Sequence, residues 1–116
     1  MSDFDLPLHV VVDDAALAVG VHLYGPFPGS DIESLTTWLD LSDVTGGGDL
    51  SVAILGADRA TQPTSRLASI GSSGPHGTTG LRVLKVAEVD VPPHLWVQVT
   101  VGTAAVGARV ALQRRA

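Results

Sequence analysis

The sequence predicts an all-β protein: an antiparallel β-sandwich of about eight short strands, jelly-roll or immunoglobulin-like, with at most one short helical turn. Three observations carry this. Apolar and polar residues alternate at period two in short runs. Clusters of Gly, Pro, Asp and Ser punctuate those runs at intervals of roughly 8–15 residues. No segment holds a helical period long enough for a confident helix. Alternation with one polar face favours antiparallel sheets over parallel ones buried on both sides.

Residues 1–7 form a possible extended arm, because Pro7 precedes the first run, and residues 8–116 form one domain. Leu8-His9-Val10-Val11-Val12 makes the first strand, ending at Asp13-Asp14. Val19, Val21 and Leu23 alternate with Gly20, His22 and Tyr24 in the second. GPFPGSD (residues 25–31) then breaks the pattern, since such a Pro- and Gly-rich stretch does not fit inside a central strand.

Two templates compete for the next segment. Ser30 and Glu33 have capping-box spacing, and Ile32, Leu35 and Leu39 fit one helical face. Leu35, Thr37, Leu39 and Leu41 alternate with Thr36, Trp38, Asp40 and Ser42, and Thr36-Thr37-Trp38 favours β structure. The strand is preferred, with a helical turn before it. Leu50, Val52 and Ile54 begin the next strand after the loop DVTGGGD. Residues 66–70 form a short strand, GSSGPHGTTG (residues 71–80) a flexible loop, and residues 81–86 another strand. From Pro92-Pro93 to the end the chain reads as a β-hairpin around Gly-Thr-Ala-Ala, with Val97, Val99, Val110 and Leu112 inside.

With 116 residues, 45% apolar but only 4% aromatic, the core is built mainly from Val, Leu and Ala. Charged residues make up 16%, below the roughly 25% of an average domain. Either a partner covers part of the surface, or loops rich in Ser, Thr and Gly supply its polarity. A net charge of −5 argues against nucleic-acid binding, which needs clustered Lys and Arg. Without cysteine there are no disulfides or zinc–thiolate sites. The acidic start MSDFDLPLHVVVDD is no secretory signal peptide, and no run approaches the ~18 apolar residues of a membrane helix. Six Arg against one Lys, with no Asn, match the codon usage of a GC-rich genome.

No catalytic signature is present, and the expectation is a protein that is not an enzyme and holds no cofactor or metal. His9 and His22 face each other if their strands are neighbours, but neither H-x-H nor H-E-x-x-H spacing occurs. Asp13-Asp14 and Asp40/Asp43 are candidate carboxylate pairs, yet Asp is also a preferred turn residue, and turn use is the preferred reading. GSSGPHGTTG lacks the Lys-Ser/Thr pair of a phosphate loop and the Gly-x-Ser-x-Gly of a nucleophile elbow.

The tryptophans are more informative. Trp96 lies in phase with His94, Gln98 and Thr100, and Trp38 with Thr36, Asp40 and Ser42. A large aromatic on a polar strand face needs a cover, supplied by a partner or by a loop or arm of the same chain. Tryptophan is enriched in the buried centres of interfaces. Trp96, Trp38, Tyr24, His94 and Phe27 are therefore the protein-interface candidates.

SLTTWLDLSDVTGGGDLSVAILGAD, with Leu39-Asp40-Leu41, the turn from Val44 to Gly48 and the run from Leu50 to Ile54, resembles the middle strands of small β-sandwich virion proteins of tailed bacteriophages. VPPHLWVQVTVGTAAVGARVALQRR looks like their last hairpin, a proline-led strand, a Gly-Thr turn and a final strand ending in Arg. The resemblance implies a capsid decoration or minor capsid protein that binds and stabilises the major capsid lattice from outside, commonly as a homotrimer. It would be made in the host cytoplasm and located on the virion exterior; the GC-rich usage suits an actinobacterial host. The alternative is a tail-associated carbohydrate- or receptor-binding module, with Trp38, Trp96 and Tyr24 stacking on sugars.

Overall fold

A computed structural model describes residues 8–28, 34–57, 68–86 and 93–115. Eight strands follow in order: β1 (Leu8–Leu17), β2 (Gly20–Pro28), β3 (Ser34–Asp43), β4 (Asp49–Ala57), β5 (Ala68–His76), β6 (Gly80–Val86), β7 (His94–Gly102) and β8 (Val106–Arg115). The fold is the expected antiparallel β-sandwich. Sheet A has the order β1-β8-β3-β6 and sheet B the order β2-β7-β4-β5. The antiparallel pairs nest, β1 with β8, β2 with β7, β3 with β6 and β4 with β5. The chain is thus one long hairpin, doubled on itself and rolled into two sheets, which is a jelly roll and not an immunoglobulin-like sandwich. The proposed arm at residues 1–7 and the helical turn around Ser30 to Glu33 lie outside the described residues.

Alternation places the core. Leu35, Leu39, Leu41, Ala108, Val110 and Leu112 of sheet A meet Leu50, Val52, Ile54, Leu95, Val97, Val99 and Val101 of sheet B, all of them buried. The four residues expected inside the C-terminal part, Val97, Val99, Val110 and Leu112, belong to this core. The C-terminal segment is nevertheless not a hairpin. β7 pairs with β2 and β4, while β8 pairs with β1 and β3, so residues 103–105 form a corner between sheets. Thr103 takes a left-handed φ of 71° there, and the Ala104 N–H donates to the Gly102 carbonyl at 2.8 Å. Period-two alternation is the same on either side of a hairpin or a corner, so the pattern alone does not separate them.

Three further boundaries differ from the sequence reading. β1 continues through Asp13-Asp14 to Leu17, with register shifts at Val10/Val12 and Asp14/Leu17 that absorb the acidic pair. GPFP belongs to β2, and GSSGPH, read as loop, belongs to β5. Both are the outermost strands of sheet B, and both have register shifts. Proline is excluded from central strands because it lacks a ladder N–H, but at an edge that donor is not needed. Gly25 (φ +139°) and Gly74 (φ +116°) are required as glycines twice over. Each takes a backbone conformation that side chains avoid, and a Cβ would lie 2.7 Å from the Leu95 oxygen or 2.8 Å from the Leu50 oxygen, respectively.

One core position is polar. Thr37, fully buried between Leu84 of β6 and Leu112 of β8, has no hydrogen-bond partner for its hydroxyl among the described residues. Replacing an unpaired buried hydroxyl by a methyl of the same shape removes its desolvation cost. Thr37→Val is expected to stabilise the domain by about 1–2 kcal/mol and raise the melting temperature by roughly 3–8 °C in a thermal melt. A lowered melting temperature would show that the hydroxyl is bonded after all.

Candidate functional site

The outer face of sheet A is set by registry. Leu39, Thr37 and Leu35 point inward, so Thr36, Trp38 and Asp40 point outward, and their cross-strand partners share that face. Val10 pairs with Ala111, Ala111 with Trp38, and Trp38 with Val83. One apolar row therefore crosses all four strands, a span of roughly 14 Å at ordinary strand spacing. Leu8 and Leu81 flank it in the neighbouring rows, beside Gln113 and Asp40 respectively. Leu8, Val10, Leu81 and Val83 are among the exposed large apolar residues, at 45%, 42%, 63% and 43% exposure. Asp13, Arg109 and Asp40 form a charged row along one side.

Trp38 sits near the centre of this face, half-buried, its ring supported by fully buried Ala111. Its Nε1–H donates to the Gln113 side-chain oxygen at 3.1 Å. The polar edge of the indole is satisfied within the chain, so covering the ring strands no donor. The face thus carries an aliphatic stripe with an aromatic at its middle and charged or amide groups at its margin.

The other interface candidates are placed differently. Trp96 stands on the outward phase of sheet B, as its neighbours predicted, yet it is only 1% exposed. It lies outside the sandwich core, opposite Leu55 of β4, which is itself buried. The bulge of β2 brings Gly25 over the indole, with the position of a Gly25 Cβ 2.9 Å from Trp96 Cδ1. The chain covers this tryptophan itself, so it presents no ring to a partner, and its Nε1 has no acceptor among the described residues. Tyr24 and Phe27 pair with Val97 and Leu95 on the inward phase and pack against the core. Burial, reinforced by the Asp14 charge, pushes the Tyr24 hydroxyl above its ordinary range. His94 starts β7, half-buried on the outward phase of sheet B, away from Trp38. The five candidates thus do not form one patch, and Trp38 alone lies on the apolar face of sheet A.

The polar candidates separate likewise. His9 packs edge-on against Phe27, with ring centroids 5.1 Å apart, while His22 Nε2–H donates to the Ala18 carbonyl at 2.7 Å. Their strands lie in different sheets. Asp43, at the end of β3, accepts from the Thr45 N–H at 2.9 Å as a turn aspartate does. Asp13, Asp14 and Asp40 are strand residues, against the turn use expected for them; Asp14 accepts from the Ala16 N–H at 2.9 Å within β1, beside its register shift. The Thr45 backbone bond, with its hydroxyl, holds the Asp43 carboxyl below the usual range. Among the described residues no group of three His, Cys, Asp or Glu side chains converges on a metal-sized site. Ser73 Oγ and His76 Nε2 are hydrogen-bonded at 2.7 Å in β5. Burial and then the Arg82 charge push that imidazole below its ordinary range.

No family model matches the chain. No curated protein matches it in sequence either. Solved structures do match in fold. A chain in the structure of infectious bursal disease virus, Gx strain, superposes with a TM-score of 0.54 at 12% identity, covering 93% of this chain and 31% of that one. The Gt strain gives 0.52 at 11% identity, covering 94% and 32%. The CBM22-1–GH10 modules of a Clostridium thermocellum xylanase give 0.47 at 11% identity, covering 93% and 29%. The chain thus spans about a third of the length of the viral proteins it resembles, and what it shares with them is the β-sandwich fold.

Proposed function

We propose that this chain is a structural module of a tailed-phage virion, a capsid decoration or minor capsid protein that docks on the major capsid lattice from outside. The outer face of sheet A is its contact surface. The observation that carries this reading is the apolar row Val10–Ala111–Trp38–Val83, centred on a tryptophan whose N–H is already bonded to Gln113. Exposed apolar patches of this kind mark interaction surfaces. The jelly-roll order supports the reading, since viral capsid domains are built on it, and the viral match supports it at the level of fold. A net charge of −5 suits a protein outside the shell better than one against packaged DNA.

Trp38→Ala is expected to weaken binding to purified capsids about 30-fold or more, as for a central interface tryptophan, with the fold retained. Co-sedimentation with capsids lacking the protein measures this. A sugar platform is the competing use of the same ring, with Asp40, Arg109 and Gln113 as polar neighbours. Glycan-array binding that Trp38→Ala abolishes, together with unchanged capsid binding, would overturn the lattice reading.

A further inference from the structure

We propose that β6 is a strand-addition edge and that its occupant is the β6 of a second copy, paired antiparallel across a two-fold axis at Val83. A sheet edge presents backbone donors and acceptors to any matching strand, and proteins interrupt edges that must stay single. This sandwich has four edge strands, β1 and β6 in sheet A, β2 and β5 in sheet B. Three are interrupted. β1 shifts register twice, and β2 and β5 each combine register shifts with a Gly-Pro pair, Gly25-Pro26 and Gly74-Pro75. β6 has neither. It runs in unbroken register against β3 from Leu35↔Val86 to Leu41↔Gly80 and contains no proline. Among the described residues it pairs on that side only.

The sequence of β6, GLRVLKV, is suited to its own copy. Antiparallel strands related by a two-fold axis normal to the sheet must be centred on a residue if both copies are to keep their faces. Centred on Val83, Gly80 meets Val86, Leu81 meets Lys85 and Arg82 meets Leu84, so the full strand pairs and no like charges oppose. Centred on Arg82, two arginines oppose each other, which is destabilising. Centred on Leu84, the strand ends fall out of the pairing. The Arg82 guanidinium is engaged with Thr78 Oγ1 at 2.8 Å and the Gly80 oxygen at 3.4 Å, back along its own chain. The Val83 centre also continues the outer row, so Val10–Ala111–Trp38–Val83 runs on into the same residues of the second copy in reverse. The result is one eight-stranded sheet with a doubled apolar stripe. Strand pairing over this length buries a small interface, so the dimer is expected in the micromolar range. A two-fold pair replaces the trimer that the phage resemblance implies, and it stands or falls independently of capsid binding.

The absence of cysteine allows a clean test. Val83→Cys places a thiol at an exposed position that faces its own copy at disulfide distance across the axis. Val10→Cys and Val21→Cys, at 42% and 63% exposure, are controls away from the axis. Under mild oxidation Val83→Cys is expected to form a covalent dimer at least tenfold faster than either control, and sedimentation of the wild type is expected to show a concentration-dependent dimer. Val83→Lys and Val83→Glu should each be monomeric and should associate again when mixed. A wild type that stays monomeric at millimolar concentration, a trimer, or equal cross-linking at all three positions would overturn the proposal.

Discussion

Val99→Asp is expected to abolish folding. Val99 lies at the middle of β7, fully buried, flanked by His22 of β2 and Val52 of β4. Its inward side meets the aliphatic core between the sheets. A carboxylate there would sit among aliphatic side chains, with one polar neighbour, the His22 imidazole, whose Nε2–H is already given to the Ala18 carbonyl. Taking a poorly paired charged group out of water costs several kcal/mol or forces it to bind a proton. A domain of this size holds about 5–15 kcal/mol in total, so the loss is a large share of the whole. Gln98→Asp, one residue away on the half-exposed outer face, is expected to leave the fold intact. Circular dichroism and a thermal melt of both variants check the pair. If Val99→Asp folded normally and Gln98→Asp did not, the register would be out by one residue and every side chain of the strand would change face.

Trp96→Ala is expected to destabilise the monomer by about 3–5 kcal/mol, the usual cost of removing a buried large aromatic. The ring is enclosed by the chain, with Gly25 above it and Leu55 beside it, and truncation leaves a cavity that a glycine backbone cannot fill. Its N–H is buried without an acceptor among the described residues, so Trp96→Phe, which removes that donor and keeps most of the apolar ring, should cost far less. Comparing the melting temperatures of the two variants separates the volume of the ring from its polarity. A nearly unchanged melting temperature for Trp96→Ala, with loss of an oligomer, would return this residue to an interface.

The two tryptophans show where a single strand stops being informative. Phase places both on outward faces, and the structure agrees on the side for each. What lies over each ring is decided elsewhere in the chain. Over Trp96 it is the bulge of β2, some seventy residues earlier in sequence, made possible by Gly25. Over Trp38 no segment of the described residues forms such a cover, and Gln113 reaches its N–H from β8. Tyr24 is the reverse case. Its neighbours Val21 and Leu23 look like the core phase, yet Val21 is 63% exposed while Tyr24 packs inward, because pairing with Val97 sets the face. On an edge strand, which is covered only in part, the pattern is too weak to choose between them.

By itself the sequence determined the β-sandwich class and the strand phases of β3, β4, β7 and β8. These strands are interior to their sheets, and a buried face tolerates apolar residues at alternate positions only. It also determined the low charge, the lack of thiol chemistry and the turn use of Asp43, which depend on residue type and local hydrogen bonds. The tertiary structure alone decided the jelly-roll pairing, the corner at residues 103–105, the strand character of GPFP and GSSGPH, and the apolar row on sheet A. Each depends on partners far away in the chain, as when Leu8 pairs with Gln113. Alternation at period two states which side a residue is on. Which strand becomes its neighbour, and whether a proline falls at an edge where no ladder donor is needed, follows only once the long hairpin has rolled up.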